Sequence, residues 1–204
     1  MKDLGSLLGF HIEINQLKRT MRYESCNEEV RDSSADHSWH LALMAMDTID
    51  MFNLDVDPIY SLKLALVHDV CEYQGVHDID SYHLATGVKT KQDKDDFERK
   101  AMEKIRDKFG RNDIYDAWRD YEKQSSPESK FIRAMDKIEA LVHLIEVGGS
   151  KRDGFGDADH IALYADDAVR NFPKLQPYLK EVKSGLKAMY QEFSLDWKPE
   201  YDIA

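Results

Sequence analysis

A chain of 204 residues is long enough to bury one sizeable core and is expected to form a single domain over 1–204 rather than two. Charged residues make up 33% and hydrophobic ones 42%, the balance of a soluble globular protein with abundant surface helix. The net charge of −11 argues against a nucleic-acid polymer or an anionic membrane as partner, while a local arginine or metal ion can still hold a small anionic substrate.

The start, MKDLGSLLGF, lacks the long apolar core and cleavage pattern of a signal peptide, and no apolar stretch reaches transmembrane length. Cys26 and Cys71 form no CxxC motif, which suits a reducing compartment, so the expected location is cytoplasmic. Prolines and glycines fall mostly between periodic segments, and nothing resembles a series of alternating strands. The pattern predicts an all-α fold of about seven to eight helices.

A first helix is expected over Leu4–Met21, followed by an irregular polar stretch from Arg22 to Ala35. The next helix, Asp36–Phe52, carries His37, Leu41, Met44 and Thr48 at 4-3-4 spacing. Asp57-Pro58 pairs a cap with proline at the first helical position and opens the helix that contains His68 and Asp69. Gly75–Gly87 reads as a loop, with Asp78, Asp80 and His83 in it, and Lys89–Phe109 as a charged, exposed helix. A shorter helix over Asn112–Glu122 brings Ile114, Trp118 and Tyr121 to one side. Behind the cap Ser126-Pro127-Glu128, the residues Phe131, Met135, Ile138, Val142 and Ile145 repeat at 4-3-4-3, a strong amphipathic helix ended by Gly148-Gly149. Helices over Ala158–Asn171 and Pro173–Phe193 follow, and the tail from Leu195 to Ala204 has no clear periodicity.

The apolar run Leu62–Val70 (LKLALVHDV) ends on the pair His68-Asp69, with Glu72 close behind. A histidine and a carboxylate side by side can hold one divalent ion and leave positions open for water and substrate. On a continuing helix, Glu72 falls on the face of His68 as a proton-transfer group beside the metal. A buried ion pair at a helix end accounts for these three residues equally well. Two further polar residues lie on apolar faces: His37, and Asp136 beside the stripe of its helix, where an aspartate needs a partner. Packed helices could converge His37, His68, Asp69 and Asp136 on one point. Such a set suits Mn²⁺, Co²⁺, Fe²⁺, Mg²⁺ or catalytic zinc better than a closed structural site.

The order His37 … His68-Asp69 … Asp136 resembles the H…HD…D signature of the HD-domain metal-dependent phosphohydrolases, and more narrowly their 5′-deoxynucleotidase group. The matching segments are Leu17-Lys18-Arg19 with Arg22, Ser34-Ala35-Asp36-His37 with LALMAM, LALVHDVCE, and IYDAWRDYEKQSSPESKFIRAMDKIEAL, in one order across Leu17–Leu144. The resemblance implies a helical HD-domain fold around a central metal site, with His37, His68, Asp69 and Asp136 holding one divalent ion (Co, Mn, Mg, Zn or Fe). It implies Glu72 as the catalytic acidic residue acting on the attacking water, Arg22 as a phosphate contact and Asp78 as a sugar contact. The implied reaction converts a deoxynucleoside 5′-monophosphate to deoxynucleoside and phosphate, and the implied assembly is a homodimer.

One stretch departs from the family's HD-x-x-E-x-x-x-Gly-Asp: here YQGVHD follows Glu72, so Val76-His77 separates Gly75 from Asp78 and brings His77 near the site. Two alternatives use the same fold. A nucleoside triphosphohydrolase needs further cations, for which the sequence near the motif offers Lys18, Arg19 and Arg31. A di-iron oxygenase needs additional histidines, for which His77 or His83 could serve. Elsewhere, His40 is expected in a surface or hydrogen-bonded role, and His143 and His160 as ordinary structural or exposed residues. Cys71 is expected to be a small core residue, and Tyr23 to cover either a sugar or base or the first helix. Trp39, Trp118, Met44 and Met46 are expected to fill core or subunit contacts.

Overall fold

The computed structural model describes residues 3–23, 31–74, 90–148 and 158–202. Helices supply the regular structure of these residues, and the expected all-α class holds among them. The helices are α1 (Leu4–Ile14), α2 (Ser34–Phe52), α3 (Pro58–Val67), α4 (Lys91–Phe109), α5 (Asn112–Lys123), α6 (Pro127–Gly148), α7 (Ala158–Leu163), α8 (Asp166–Asn171) and α9 (Gln176–Glu192).

Local chemistry sets most of the helix ends. The Ser33 hydroxyl accepts from the Asp36 N–H at 3.1 Å while the Asp36 carboxylate accepts from the Ser33 N–H at 3.1 Å, a reciprocal cap that starts α2 two residues before the expected point. Thr90 and Asp93 cap α4 in the same way, and Gly110, at φ +62°, ends it in the left-handed region. The Asp57 carboxylate accepts from the Ile59 and Tyr60 N–H groups ahead of α3. At the start of α6, the Ser126 hydroxyl accepts from the Ser129 N–H at 3.0 Å and donates to Asp120.

Other expected boundaries are corrected as well, among them the starts of α4 at Lys91 and of α9 at Gln176. The first helix stops at Ile14 and tightens into a 3-10 segment, Asn15–Arg19, instead of running to Met21. Beyond it the chain is extended, because Arg22 N–H bonds to Asp32 C=O and Ser34 N–H to Thr20 C=O, making an isolated bridge between Met21 and Ser33. The helix of His68 also ends early: His68 N–H still reaches Leu64 C=O, but Glu72 N–H bonds to Asp69 C=O, and Val70–Gln74 is a 3-10 segment. The span Ala158–Asn171 is divided into α7 and α8 at Tyr164-Ala165.

Helix α6 is the central element, packing against α2, α3, α5, α8 and α9. Its stripe Phe131, Ile132, Met135, Ile138 and Leu141 is fully buried, each side chain contributing about 1.5–3 kcal/mol of transfer free energy. The tail, featureless in sequence, is anchored through a buried cation: Lys183 donates to Asp166 at 2.9 Å and to the Tyr201 carbonyl at 2.6 Å. Met44 and Trp118 join the core as expected, whereas Trp39 is 65% exposed and Met46 47% exposed.

Candidate metal centre

Three elements meet at one point because of where their ends fall. The cap on Ser33 fixes the first turn of α2 and with it His37; α3 delivers His68-Asp69 in the turn at its C-terminus; α6 contributes Asp136 from mid-helix. His37, His68 and Asp136 are buried, and Asp69 is partly open. His37 Nε2 lies 3.2 Å from His68 Nε2, 3.2 Å from Asp136 Oδ1 and 3.8 Å from Asp69 Oδ2, and His68 Nε2 lies 3.0 Å from Asp69 Oδ2. His37, His68 and Asp136 have ligand atoms close enough together to share an ion, and Asp69 flanks them beside His68.

The hydrogen bonds behind the rings show what the cluster fits. His68 Nδ1 lies 2.9 Å from the Ala65 carbonyl, which can only accept, so the ring carries its hydrogen there and turns the Nε2 lone pair inward. His37 Nδ1 lies 2.5 Å from Glu139 Oε2, on a carboxylate whose pKa is lowered to about 2: burial opposes ionisation, but the bonds and charges of His37 and Arg22 outweigh it. With both rings neutral, two nitrogen lone pairs and two carboxylate oxygens face one another with no hydrogen between them. A divalent cation resolves that repulsion, and its imidazole and carboxylate donors match a hard or borderline ion with open positions. Without a cation, protonation does the same. Burial and Arg22 push His37 down, yet its bonds to Asp136 and Glu139 prevail and raise its pKa to about 9.

Asp136 is held from behind as well. Tyr121 donates to its Oδ2 at 2.8 Å, and Lys137 Nζ lies 3.1 Å from the same oxygen, leaving Oδ1 turned toward His37. Burial, against the nearby Arg133 charge, raises the pKa of Tyr121, so its hydroxyl stays a donor.

Glu72 is buried beside this cluster in spite of the early end of α3. Ser34 donates to its Oε2 at 2.5 Å, and Thr20 donates to its backbone carbonyl at 3.3 Å. The 3-10 segment is thereby tied to Thr20, at the end of the Asn15–Arg19 segment, and to the first residue of α2, which is why Glu72 reaches the site without being one helical turn above His68. Arg22 is also buried; its NH1 lies 3.3 Å from Asp32 and 3.6 Å from Glu139. His68, Asp69, Glu72, Arg22 and Asp136 share the wall of a cavity of about 520 Å³. Ala140, Leu141, Leu144 and Ile161 supply the apolar part of its lining. Asp78, with His77 and His83, lies outside the described residues.

Sequence reasoning missed Glu139, Ser34, Tyr121, Lys137 and Glu98. Glu139 is 1% exposed and also takes His40 Nδ1 at 2.9 Å, which gives His40 the hydrogen-bonded role expected of it. The signal for Glu139 is a glutamate one turn past Asp136, next to Ile138 of the buried stripe. Glu98 lines the cavity with a pKa raised to about 7, chiefly by burial and against the pull of Lys94, with Glu122 and Asp69 adding repulsion. His160, expected as ordinary, lines the cavity beside Tyr164, while His143 stacks on Tyr23 with ring centroids 5.2 Å apart. Asp32, His37 and Glu139 form a second group spaced for an ion, but Arg22 already sits against both carboxylates of that group.

A sequence model of the HD domain matches residues 14–176. Among curated proteins, the 5′-deoxynucleotidase HDDC2 of Mus musculus is 36% identical over 148 residues, covering 70% of this chain and 70% of its own. The Homo sapiens protein of the same name is 35% identical over 146 residues, covering 69% and 68%. Among solved structures, a protein titled "Predicted metal-dependent phosphohydrolase" from Magnetospirillum magnetotacticum aligns with a TM-score of 0.74 at 20% identity, covering 96% of this chain and 97% of its own. That likeness bears on the fold, which it shares over nearly the whole length.

Proposed function

The chain belongs to the HD-domain family, and on that premise we propose that it is a metal-dependent 5′-deoxynucleotidase, converting deoxynucleoside 5′-monophosphates to deoxynucleoside and inorganic phosphate. The observation that carries the reading is the convergence of His37, His68, Asp69 and Asp136 beside a cavity whose wall includes His68, Asp69, Asp136, Glu72 and Arg22.

His37, His68, Asp69 and Asp136 are the residues that would hold one divalent ion, with Co, Mn, Mg, Zn and Fe as candidates. When bound, such an ion polarises a phosphoryl oxygen and lowers the pKa of its water. Glu72 has one oxygen fixed by Ser34; its carboxylate orients the attacking water for in-line approach to phosphorus and receives its proton. Arg22, held between Asp32 and Glu139, presents a preset guanidinium to the equatorial phosphoryl oxygens. The apolar lining of Ala140, Leu141, Leu144 and Ile161 takes the deoxynucleoside, with Asp78 as the sugar contact.

The charge arrangement favours a monophosphate over a triphosphate. Of the five lysines and arginines that line the cavity, Lys94 faces Glu98 at 3.5 Å, Arg133 faces Glu122 at 3.4 Å, Arg22 faces Asp32 and Glu139, and Lys137 faces Asp136 at 3.1 Å, which leaves Lys91 outside the ion pairs described. Two further phosphates would have to compete with those carboxylates. The di-iron alternative calls on His77 or His83, which lie outside the described residues; the second described group spaced for an ion, Asp32, His37 and Glu139, has Arg22 against both of its carboxylates.

The chain acts as one catalytic domain over 1–204, in the cytoplasm and as a homodimer. Trp39, Leu43 and Met46, exposed along one face of α2, are the apolar surface on which pairing would draw. No described helix is long and apolar enough to cross a membrane.

The decisive experiment measures phosphate release from ribo- and deoxynucleoside mono- and triphosphates with Co²⁺, Mn²⁺, Mg²⁺ or Zn²⁺ added separately. Release from deoxynucleoside monophosphates under one of these metals is the expected result. Turnover of triphosphates alone, or two irons per chain in the active protein, would overturn the proposal.

A further inference from the structure

Lys137 follows Asp136 on α6 and lines the same cavity as Arg22 and Glu72. Its Nζ donates to the Tyr164 hydroxyl at 3.0 Å and lies 3.1 Å from Asp136 Oδ2. An ammonium group carries three N–H donors, so these two partners leave one for a ligand in the cavity. The side chain keeps 24% of its surface accessible despite that anchoring.

Its counter-ion sets it apart from Lys94 and Arg133, two other cations of the cavity. Lys94 and Arg133 face Glu98 and Glu122, which make no contact with the candidate ligand cluster in the ion pairs described. Asp136, by contrast, turns its other oxygen toward His37 at 3.2 Å, so its negative charge is shared with the metal centre. Lys137 therefore keeps net positive character at the edge of that centre. Arg22 approaches the centre by a different route, through Glu139 behind His37.

We infer that Lys137 is a second phosphate-binding catalytic residue, its remaining N–H donating to a non-bridging phosphoryl oxygen while Arg22 engages another. The inference rests on the phosphohydrolase reading above. In the reaction the water oxygen bonds to phosphorus, the bond from phosphorus to O5′ breaks with its electron pair going to O5′, and O5′ takes a proton from solvent, to which Glu72 later returns the one it received from the attacking water. Lys137 gives up no proton; it stabilises charge on the phosphoryl oxygens as the bond breaks. Tyr164 and Asp136 hold the ammonium in place beforehand, so little orientation is lost on binding.

A purely structural role, neutralising Asp136, predicts a different outcome, and binding of inorganic phosphate to the Co²⁺-loaded protein separates the two. By calorimetry at saturating Co²⁺, K137M should weaken phosphate binding about tenfold to a hundredfold, the loss expected for a hydrogen bond between charged groups. Co²⁺ affinity should fall much less than phosphate affinity, because Tyr121 still donates to Asp136 Oδ2, and K137R should recover part of the phosphate affinity. The inference is overturned if phosphate affinity is unchanged in K137M, if its loss follows wholly from weaker Co²⁺ binding, or if the wild-type protein binds no phosphate. Because phosphate binding is read without turnover, an error in the nucleotide assignment would leave this result standing, and the substrate panel would expose that error separately.

Discussion

The Nε2 atoms of His37 and His68 stand 3.2 Å apart, and each ring has its Nδ1 committed to an oxygen behind it, Glu139 for the one and the Ala65 carbonyl for the other. The two rings are thus fixed in orientation before any ion arrives, with their Nε2 atoms converging. Divalent metal should therefore bind the folded chain far better than the unfolded one. At a free concentration about a hundredfold above its dissociation constant it adds about 2.7 kcal/mol of stability. Thermal unfolding with and without chelator reads this directly, and Asp69→Ala should abolish both the metal-dependent shift and activity. An identical melting temperature with and without metal would contradict the site.

Glu139 should act on metal affinity although it is one bond removed from the ion. Glu139→Gln replaces one acceptor by an amide donor, so either His37 or His40 loses its partner, and the His37 ring loses its fixed orientation. Losing such an outer partner typically weakens metal binding about tenfold to a hundredfold. A Co²⁺ titration followed by absorption tests this. His40→Ala, which leaves the bond between His37 and Glu139 intact, should do much less.

Glu72 and Ser34 should separate chemistry from metal binding. Glu72→Gln should keep the metal while losing about 10²- to 10⁴-fold in turnover, the usual contribution of a positioned proton-transfer group. Ser34→Ala removes the 2.5 Å bond that orients Glu72 and should lower turnover by a smaller factor, with metal content unchanged. Full turnover in Glu72→Gln would remove Glu72 from the mechanism.

How much of this was readable beforehand depends on the reach of each interaction. The stripe of α6 announced itself through local periodicity, and Asp136 stood out as an acid beside it. Glu139 lies on the same helix and was missed, because the partner that explains a buried glutamate, His37, is 102 positions away in the chain. Ser34 and Glu72 are separated by 38 positions, and neither residue alone hints at the bond. The end of α3 was hidden for another reason. The run LKLALVHDV contains no glycine or proline, and its change to a 3-10 segment is held by tertiary contacts such as Thr20 to the Glu72 carbonyl. The split of α7 from α8 is similar, since Asp166 is drawn to Lys183 from another helix.

Arg22 should govern substrate affinity. Its guanidinium is preset by Asp32 and Glu139, so Arg22→Ala removes a charged contact to phosphate while leaving the bond between His37 Nδ1 and Glu139 in place. KM should rise about tenfold to a hundredfold, with a smaller effect on kcat. Asp32→Asn, which removes one of the two carboxylates against Arg22, should shift KM less than Arg22→Ala does. An unchanged response to substrate concentration in Arg22→Ala would exclude the phosphate contact.

The metal-free and metal-loaded proteins should respond oppositely to pH. In the absence of metal, the His37 pKa rises from 6.5 to about 9 on folding, so its protonated ring contributes stability that is complete below 6.5 and is lost as pH climbs through 9. That contribution is on the order of 3 kcal/mol. Glu139 works at the other end: with its pKa lowered from 4.5 to about 2, its contribution is present above 4.5 and disappears as pH falls through 2. An ion can bind only after His37 gives up its proton. Metal affinity should accordingly increase about tenfold per pH unit below the His37 pKa, and each ion bound should release about one proton. Calorimetry in two buffers of different ionisation enthalpy counts that proton. A metal affinity independent of pH across the neutral range would mean that His37 is already deprotonated in the metal-free protein. The hydrogen bonds to Asp136 and Glu139 would then be weaker than their geometry implies.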